Sequence, residues 1–244
     1  MDESSIESML NKTPEEIQKE AIVEKPAEEE KSSYGEEPFY KNIQFDREGV
    51  VTTTKSFTAY GQGDVTPEIE ERLVAIIPLM MKCKYKMRMG GDNQNLLEAA
   101  ISPLHMYKDI FLPWANANKQ LAASATRKKP SEIAYRVAVN TFIGSRTEAS
   151  ELKFNDLPFA VKASLAKDSH ILFGDNLDDK LGFIIIYTAC GTTQFGKDVD
   201  FKALGRASNW IKYSKDMGIK LYNLGSVDSY NELKLILSSE AQTV

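Results

Sequence analysis

The residues of this 244-residue chain whose types and spacing could do chemistry lie between Lys84 and Ala100, in the stretch KYKMRMGGDNQNLLEAA. Tyr85 to Met89 alternates as a short strand does, and Gly90-Gly91 breaks it. Asp92 and Asn93 can cap the helix that follows, with Leu96, Leu97 and Ala100 as its apolar face. A strand, two glycines and a helix start can build an anion site. Glycine lets the backbone approach a ligand, and the unpaired N–H groups of a first helical turn point at it. Gly90, Gly91 and the N–H groups of Asp92 and Asn93 would then cradle a phosphate. The Asp92 carboxylate opposes that unless it meets a ribose hydroxyl or only caps the helix. The competing reading is a purely structural turn.

The elements around this stretch decide which reading gains weight. Ser56 to Gly63, SFTAYGQG, reads as a first strand ending in a glycine-flanked loop. Thr66 then caps a helix with Pro67 at its first position, and Ile69, Leu73, Ile76, Ile77 and Met80 keep a helical period. Pro78 is expected to kink or shorten that helix. Lys108 to Leu112 reads as a third strand, ended by Pro113-Trp114. Ala115 to Pro130 is polar and loop-like, with the cluster Arg127-Lys128-Lys129 near its end. Ser131 to Phe142 reads as a helix, and Asp156 to Phe173 holds another, capped by Asp156. His170, with no partner cluster in the sequence, reads as a packing or surface residue. Gly182 to Thr188, GFIIIYT, is the strongest strand signal, and its unbroken apolar run suits a strand covered on both faces. Ala203 to Met217 reads as a helix, Ile219 to Asn223 as the last strand and Tyr230 to Leu237 as a closing helix. Alternating strands and helices predict an α/β fold: a Rossmann-like, doubly wound, mostly parallel sheet with helices on both faces. Ligands collect beyond the carboxyl ends of such strands, where Gly61, Gly90-Gly91 and Thr188 would sit.

Charge and composition narrow the classes. Residues 1–45 hold 12 acidic and 5 basic side chains, leaving 23 acidic and 25 basic in the rest. The acidity therefore belongs to the first segment, and the body is close to neutral. Residues 1–45 read as an acidic, disordered tail, with one candidate helix from Thr13 as cap through Glu15 to Ile22. Residues 46–240 read as one domain. Cys83 and Cys190 are far apart in apolar sequence, and with only His105 and His170 beside them neither a disulfide framework nor a metal site is expected. No apolar run approaches membrane-spanning length, and the Met-Asp-Glu start is unlike a signal peptide. A soluble, cytoplasmic chain without resident cofactor is expected.

The order of motifs resembles the Smf/DprA/LOG-like (SLOG) superfamily of Rossmann-like nucleotide-binding proteins, especially the small copies in bacterial and phage genomes. The first strand of that family, Tyr-Thr-Gly-Ile-Gly-Ser-Arg before Thr-Pro, is matched by Phe57-Thr58-Ala59-Tyr60-Gly61-Gln62-Gly63 and Thr66-Pro67. Its Leu-Arg-Ser-Gly-Gly-Ala-x-Gly-Ala-Asp is matched by Met87-Arg88-Met89-Gly90-Gly91-Asp92-Asn93-Gln94-Asn95-Leu96. Its Tyr-Leu-Pro-Trp is matched by Phe111-Leu112-Pro113-Trp114, its Cys-Trp-Thr by Ile186-Tyr187-Thr188, and its last strand by Ile219 to Leu224. The likeness covers about residues 56–225. Departures fall at the chemistry: Ala59 for glycine, Gly63 for arginine, Gln94-Asn95-Leu96 for Gly-Ala-Asp, Lys167-Asp168 for Arg-Asn, and Gly205-Arg206-Ala207 for Gly-Gly-Thr. Related phosphoribohydrolases carry Pro-Gly-Gly-x-Gly-Thr-x-x-Glu. Glu98 falls one residue late for that glutamate, a turn of about 100° on a helix, so it reads as a surface helix residue.

Four functions follow. The resemblance implies non-catalytic binding of a nucleotide or nucleotide derivative at the Gly90-Gly91 loop. Tyr60, Gly61, Gly63, Arg88, Gly90, Gly91, Asp92, Asn93, Trp114, Thr188, Gly205 and Arg206 would line that site, and Arg206 would supply positive charge. An N-glycosidic-bond hydrolase would need Asp92 or Glu98 as its carboxylate. DprA-like binding of single-stranded DNA would use Lys82, Lys84, Lys86 and Arg88 as a basic stripe, with Tyr60 and Trp114 as stacking platforms. A structural or interaction protein would have kept the fold and lost the ligand, with the acidic tail or a second copy as a contact for partners.

Overall fold

A computed structural model describes residues 55–61, 63–91, 95–143, 153–193, 204 and 206–244. The tail at residues 1–45 with its candidate helix, and the site residues Asp92, Asn93 and Gly205, lie outside the described residues. Five strands form one sheet: β1 (Ser56–Gly61), β2 (Lys86–Met89), β3 (Lys108–Ile110), β4 (Phe183–Tyr187) and β5 (Lys220–Asn223). All neighbours are parallel and the order is β3-β2-β1-β4-β5. The chain builds outward from β1 in one direction, then returns across it to start β4. The topological switch point therefore lies between β1 and β4, as expected for a Rossmann-like sheet.

Alternation along each strand assigns the two faces. Phe57, Ala59, Met87, Met89, Phe183, Ile185 and Tyr187 pack on one side with helices α1 (Pro67–Lys82), α2 (Leu96–Ile101) and α6 (Val227–Gln242). Tyr60, Ile184 and Ile186 pack on the other with α4 (Phe159–Phe173) and α5 (Ala207–Met217). Every residue of β4 is buried, which explains its uninterrupted apolar sequence. A short helix α3 (Glu132–Ala138) runs into a π-helical turn, Val139–Ile143, and shares a third small core with α4.

Several local expectations are corrected. Helix α1 is capped by Thr66, whose Oγ1 accepts the Ile69 N–H, but it continues past Pro78 to Lys82. Pro78 is on the exposed face, where water can serve the carbonyl left without an amide partner. The cap of α2 is Asn95, not Asp92-Asn93. Its buried face is Leu97, Glu98 and Ile101, with Leu96 turned outward. Asp156 does not cap α4, whose first flanking residue is Pro158 without a side-chain bond. The closing helix is longer than its apolar pattern, because Ser226 caps it through the Ser229 N–H well before Tyr230. Cys83 is buried in the core while Cys190 is exposed.

Buried polar side chains tie these elements. His170 is fully buried and stacks on Phe111, with ring centroids 5.5 Å apart. Its Nδ1–H donates to the Gly174 carbonyl at 3.1 Å and its Nε2 accepts the Ser131 N–H at 3.1 Å, so the fold uses the neutral ring. Ser131 is the cap of α3, and His170 thus fastens that helix to α4. Asn223, at the end of β5, donates to Thr188 Oγ1 and to the Thr192 carbonyl, both at 2.7 Å, and accepts the Gly225 N–H at 2.9 Å.

Burial is the largest force holding both His170 and His105 below the usual imidazole value of 6.5. An unfolded chain then binds more protons than the folded one below about pH 6.5. Stability is full above that pH and falls as pH drops through the depressed folded values. The urea midpoint should decline between pH 7.5 and 5.5, with a shallower slope in His170→Asn. Asn223→Ala, which strips partners from the buried Thr188 hydroxyl and N–H, should cost about 3 kcal/mol or more in the same unfolding assay.

Candidate functional site

The carboxyl ends of β1, β2 and β4 are neighbours in the sheet, and the Gly90-Gly91 turn follows β2, one strand from the switch point. Tertiary packing dictates its glycines in different ways. Gly61 closes β1 directly against α2: a Cβ there would lie 2.6 Å from that of Leu97. Gly91 has φ +63°, a left-handed conformation that side chains resist. Gly90 is pressed against Lys167, whose Nζ would meet a Cβ at 2.6 Å.

The turn already holds an anion. The Glu98 carboxylate accepts the Gly90 N–H through Oε2 at 3.1 Å and the Gly91 N–H through Oε1 at 2.8 Å. Glu98 is only 3% exposed, which overturns its reading as a surface helix residue. Asn95 makes this geometry. Its Oδ1 accepts the Glu98 N–H as the helix cap and also the Gly61 N–H at 3.0 Å, while its Nδ2 donates to the Ala59 carbonyl at 2.8 Å. One buried asparagine thereby locks the start of α2 to the end of β1 and aims the next turn of helix back at the glycines.

Charged groups crowd the same region from α4 and α5. Lys167 and Asp168 are both buried and pair at 2.9 Å. Burial first, and then the charge of Asp168, push the Tyr213 phenol well above its ordinary value. Arg206, at the start of α5, lies over the Tyr60 ring at 5.8 Å and reaches Ser164 Oγ at 3.4 Å. Tyr60 itself is buried and stacks on Trp210, so it is a core residue and not a platform for a base.

The remaining expected site residues separate into different tasks. Thr188 is buried at the end of β4, where its Oγ1 receives Asn223 and its N–H donates to the same side chain at 3.3 Å. Arg88 points to the α4 face, donating to the Asp179 carbonyl at 2.6 Å and pairing with the Asp179 carboxylate. Burial pulls that guanidinium below its usual value, against the pull of Asp179. Gly63 is exposed, with φ +92° and open space around it. Trp114 is 40% exposed and lines, with Arg127, Tyr135 and Phe159, a groove of about 460 Å³ that shares no lining residue with the glycine turn.

The basic stripe does not assemble. Arg88 is buried, Lys86 pairs with Asp109 at 3.3 Å, and Lys82 and Lys84 lie at the amino end of β2, across the sheet from Trp114. Arg127 of the basic cluster pairs with Asp175 at 2.7 Å. Among the described residues no three His, Cys, Asp or Glu side chains are placed to hold a metal ion, and no helix is long and apolar enough to cross a membrane.

No family model, curated protein or solved structure matches the chain.

Sequence reasoning missed Asn95 and weighed Glu98 only as the carboxylate of a hydrolase; it also missed Lys167. A signal for the first two was present, since Asn-x-x-Glu is a capping-box pattern that draws a glutamate back toward the helix start. Lys167-Asp168 gave a weaker one, as two charges inside an otherwise apolar helix. Glu98→Ala would leave the two glycine N–H groups without their acceptor and should cost about 2 kcal/mol of stability, read from urea unfolding. Glu132→Ala, an exposed residue in a first helical turn, should cost under about 1 kcal/mol by the same measurement.

Proposed function

We propose that the chain is a non-catalytic binder of a nucleotide or nucleotide derivative, held at the carboxyl-end crevice around Gly90-Gly91. The observation that carries this reading is the set of buried charges there. Glu98, Lys167 and Asp168 are each at most 5% exposed, at the place where a doubly wound sheet collects ligands. Burying charge is costly unless it is paired, and packing alone would fill this position with apolar groups. Arg206 adds a cation at the same edge. The motif order shared with SLOG proteins supports the same ligand class. Both oxygens of Glu98 are engaged by backbone N–H groups, which favours a holding role over turnover.

One observation favours a second reading, hydrolysis of an N-glycosidic bond: the carboxylate of Glu98 is buried against the glycine turn and not on the surface. Glu98→Gln would abolish such turnover.

The deciding experiment is denaturing extraction of the purified chain with mass spectrometry for small molecules, beside a thermal-shift panel of nucleosides and nucleotides. A ligand at 100-fold over its dissociation constant should add about 2.7 kcal/mol of stability, with a smaller gain in Arg206→Ala. An empty extract and no shift with any member of the panel would overturn the binding reading and leave an interaction protein. Release of free base from a nucleoside or nucleotide would favour the hydrolase.

A further inference from the structure

We propose that the groove beside Trp114 is a docking site for a proline-rich peptide with an acidic flank, contributed by a partner protein. The groove has a volume of about 460 Å³ and shares no lining residue with the glycine turn, so this inference is independent of the binding reading above. The loop after β3, helix α3 and the start of α4 bring Trp114, Tyr135 and Phe159 to its walls. Phe159 is 65% exposed, Trp114 is 40% exposed and Tyr135 is half-buried. Three aromatic rings left open around one groove form a patch of the kind that marks an interaction site.

Hydrogen bonding selects the proline. Neither the Trp114 indole N–H nor the Tyr135 hydroxyl meets an acceptor among the described residues. An indole only donates, and burial alone raises the Tyr135 phenol, which keeps its proton to donate. A polyproline segment brings carbonyls without N–H groups, in a helix already ordered before it binds, and docks in aromatic-lined grooves. Charge selects the flank. Residues 113–136 hold five basic side chains against one acidic, Glu132. Lys129 lines the groove and Lys128 is exposed next to it, and neither pairs with a carboxylate among the described residues. Two adjacent lysines suit a short acidic stretch. A nucleic-acid strand suits the groove less. Its regular phosphates would pass the Glu132 carboxylate on the same wall, and Arg127 is already paired with Asp175 at 2.7 Å.

The test is titration of the full chain with Glu-Glu-Pro-Pro-Pro-Pro-Pro and with Pro-Pro-Pro-Pro-Pro-Glu-Glu, followed by tryptophan emission. The chain has two tryptophans and Trp210 is 5% exposed, so a ligand in the groove is read through Trp114. The better peptide should bind about tenfold or more tightly than its counterparts with lysine for glutamate or alanine for proline. Phe159→Ala and Tyr135→Phe should each weaken it about threefold or more, at an unchanged urea midpoint for the exposed Phe159. Lys129→Glu should erase the preference for glutamate over lysine. Equal binding of either counterpart overturns the inference, as does unchanged binding in the folded Phe159 and Lys129 variants. Tighter binding of oligothymidylate than of either peptide overturns it in favour of a nucleic-acid groove. No saturable change in emission with either peptide overturns it outright and leaves the nucleotide-binding reading untouched.

Discussion

The seating of the Glu98 carboxylate on the Gly90 and Gly91 N–H groups is the contact around which the carboxyl edge of the sheet is arranged. It satisfies two backbone donors where β2 ends and holds the glycine turn in shape. It also places a carboxylate at the end of β2, beside the end of β1. Asn95 makes the contact geometrically necessary, since its side chain bridges β1 and the first turn of α2. Gly61 must be glycine for that bridge to close, because α2 comes within 2.6 Å of where its Cβ would stand. The chain has therefore internalised the anion that a glycine turn of this kind would otherwise recruit from solvent.

The same habit recurs elsewhere in the molecule. Arg88 and Asp179 form a buried pair between β2 and the segment after α4. His170 fastens α3 to α4 through its two ring nitrogens, and Asn223 ties the ends of β4 and β5. Each group is costly to bury alone and specific once paired, so each fixes one arrangement of neighbouring elements where apolar packing would tolerate several. The consequence is that most polar residues of the sheet edge serve the fold. Glu98, Lys167 and Asp168 are further charged groups buried near the end of β2.

Much of the fold was legible in order along the chain. The unbroken apolar run of β4, the Thr66-Pro67 start of α1 and the helical period that follows are local signals, decided by burial and backbone sterics within a few residues. Element ends were less legible. Pro78 sits on a solvent face that tolerates it, and α6 starts at a cap upstream of its apolar stripe. The candidate site was legible only as a place. Gly61, Gly90-Gly91 and Thr188 do lie at strand ends, yet Tyr60, Arg88 and Thr188 are consumed by packing or pairing.

By itself the sequence determined that strands and helices alternate, that the sheet is covered on both faces and that a glycine turn follows the second strand. These properties depend on periodicity and on the steric freedom of single residues. Tertiary structure alone decided what that turn does. Whether Glu98 faces solvent or the glycines depends on the rotation of α2, and Asn95 sets that rotation by gripping β1, a partner 36 residues away in sequence. No local pattern encodes such a contact, because its strength comes from two distant backbone segments being brought together in a buried place.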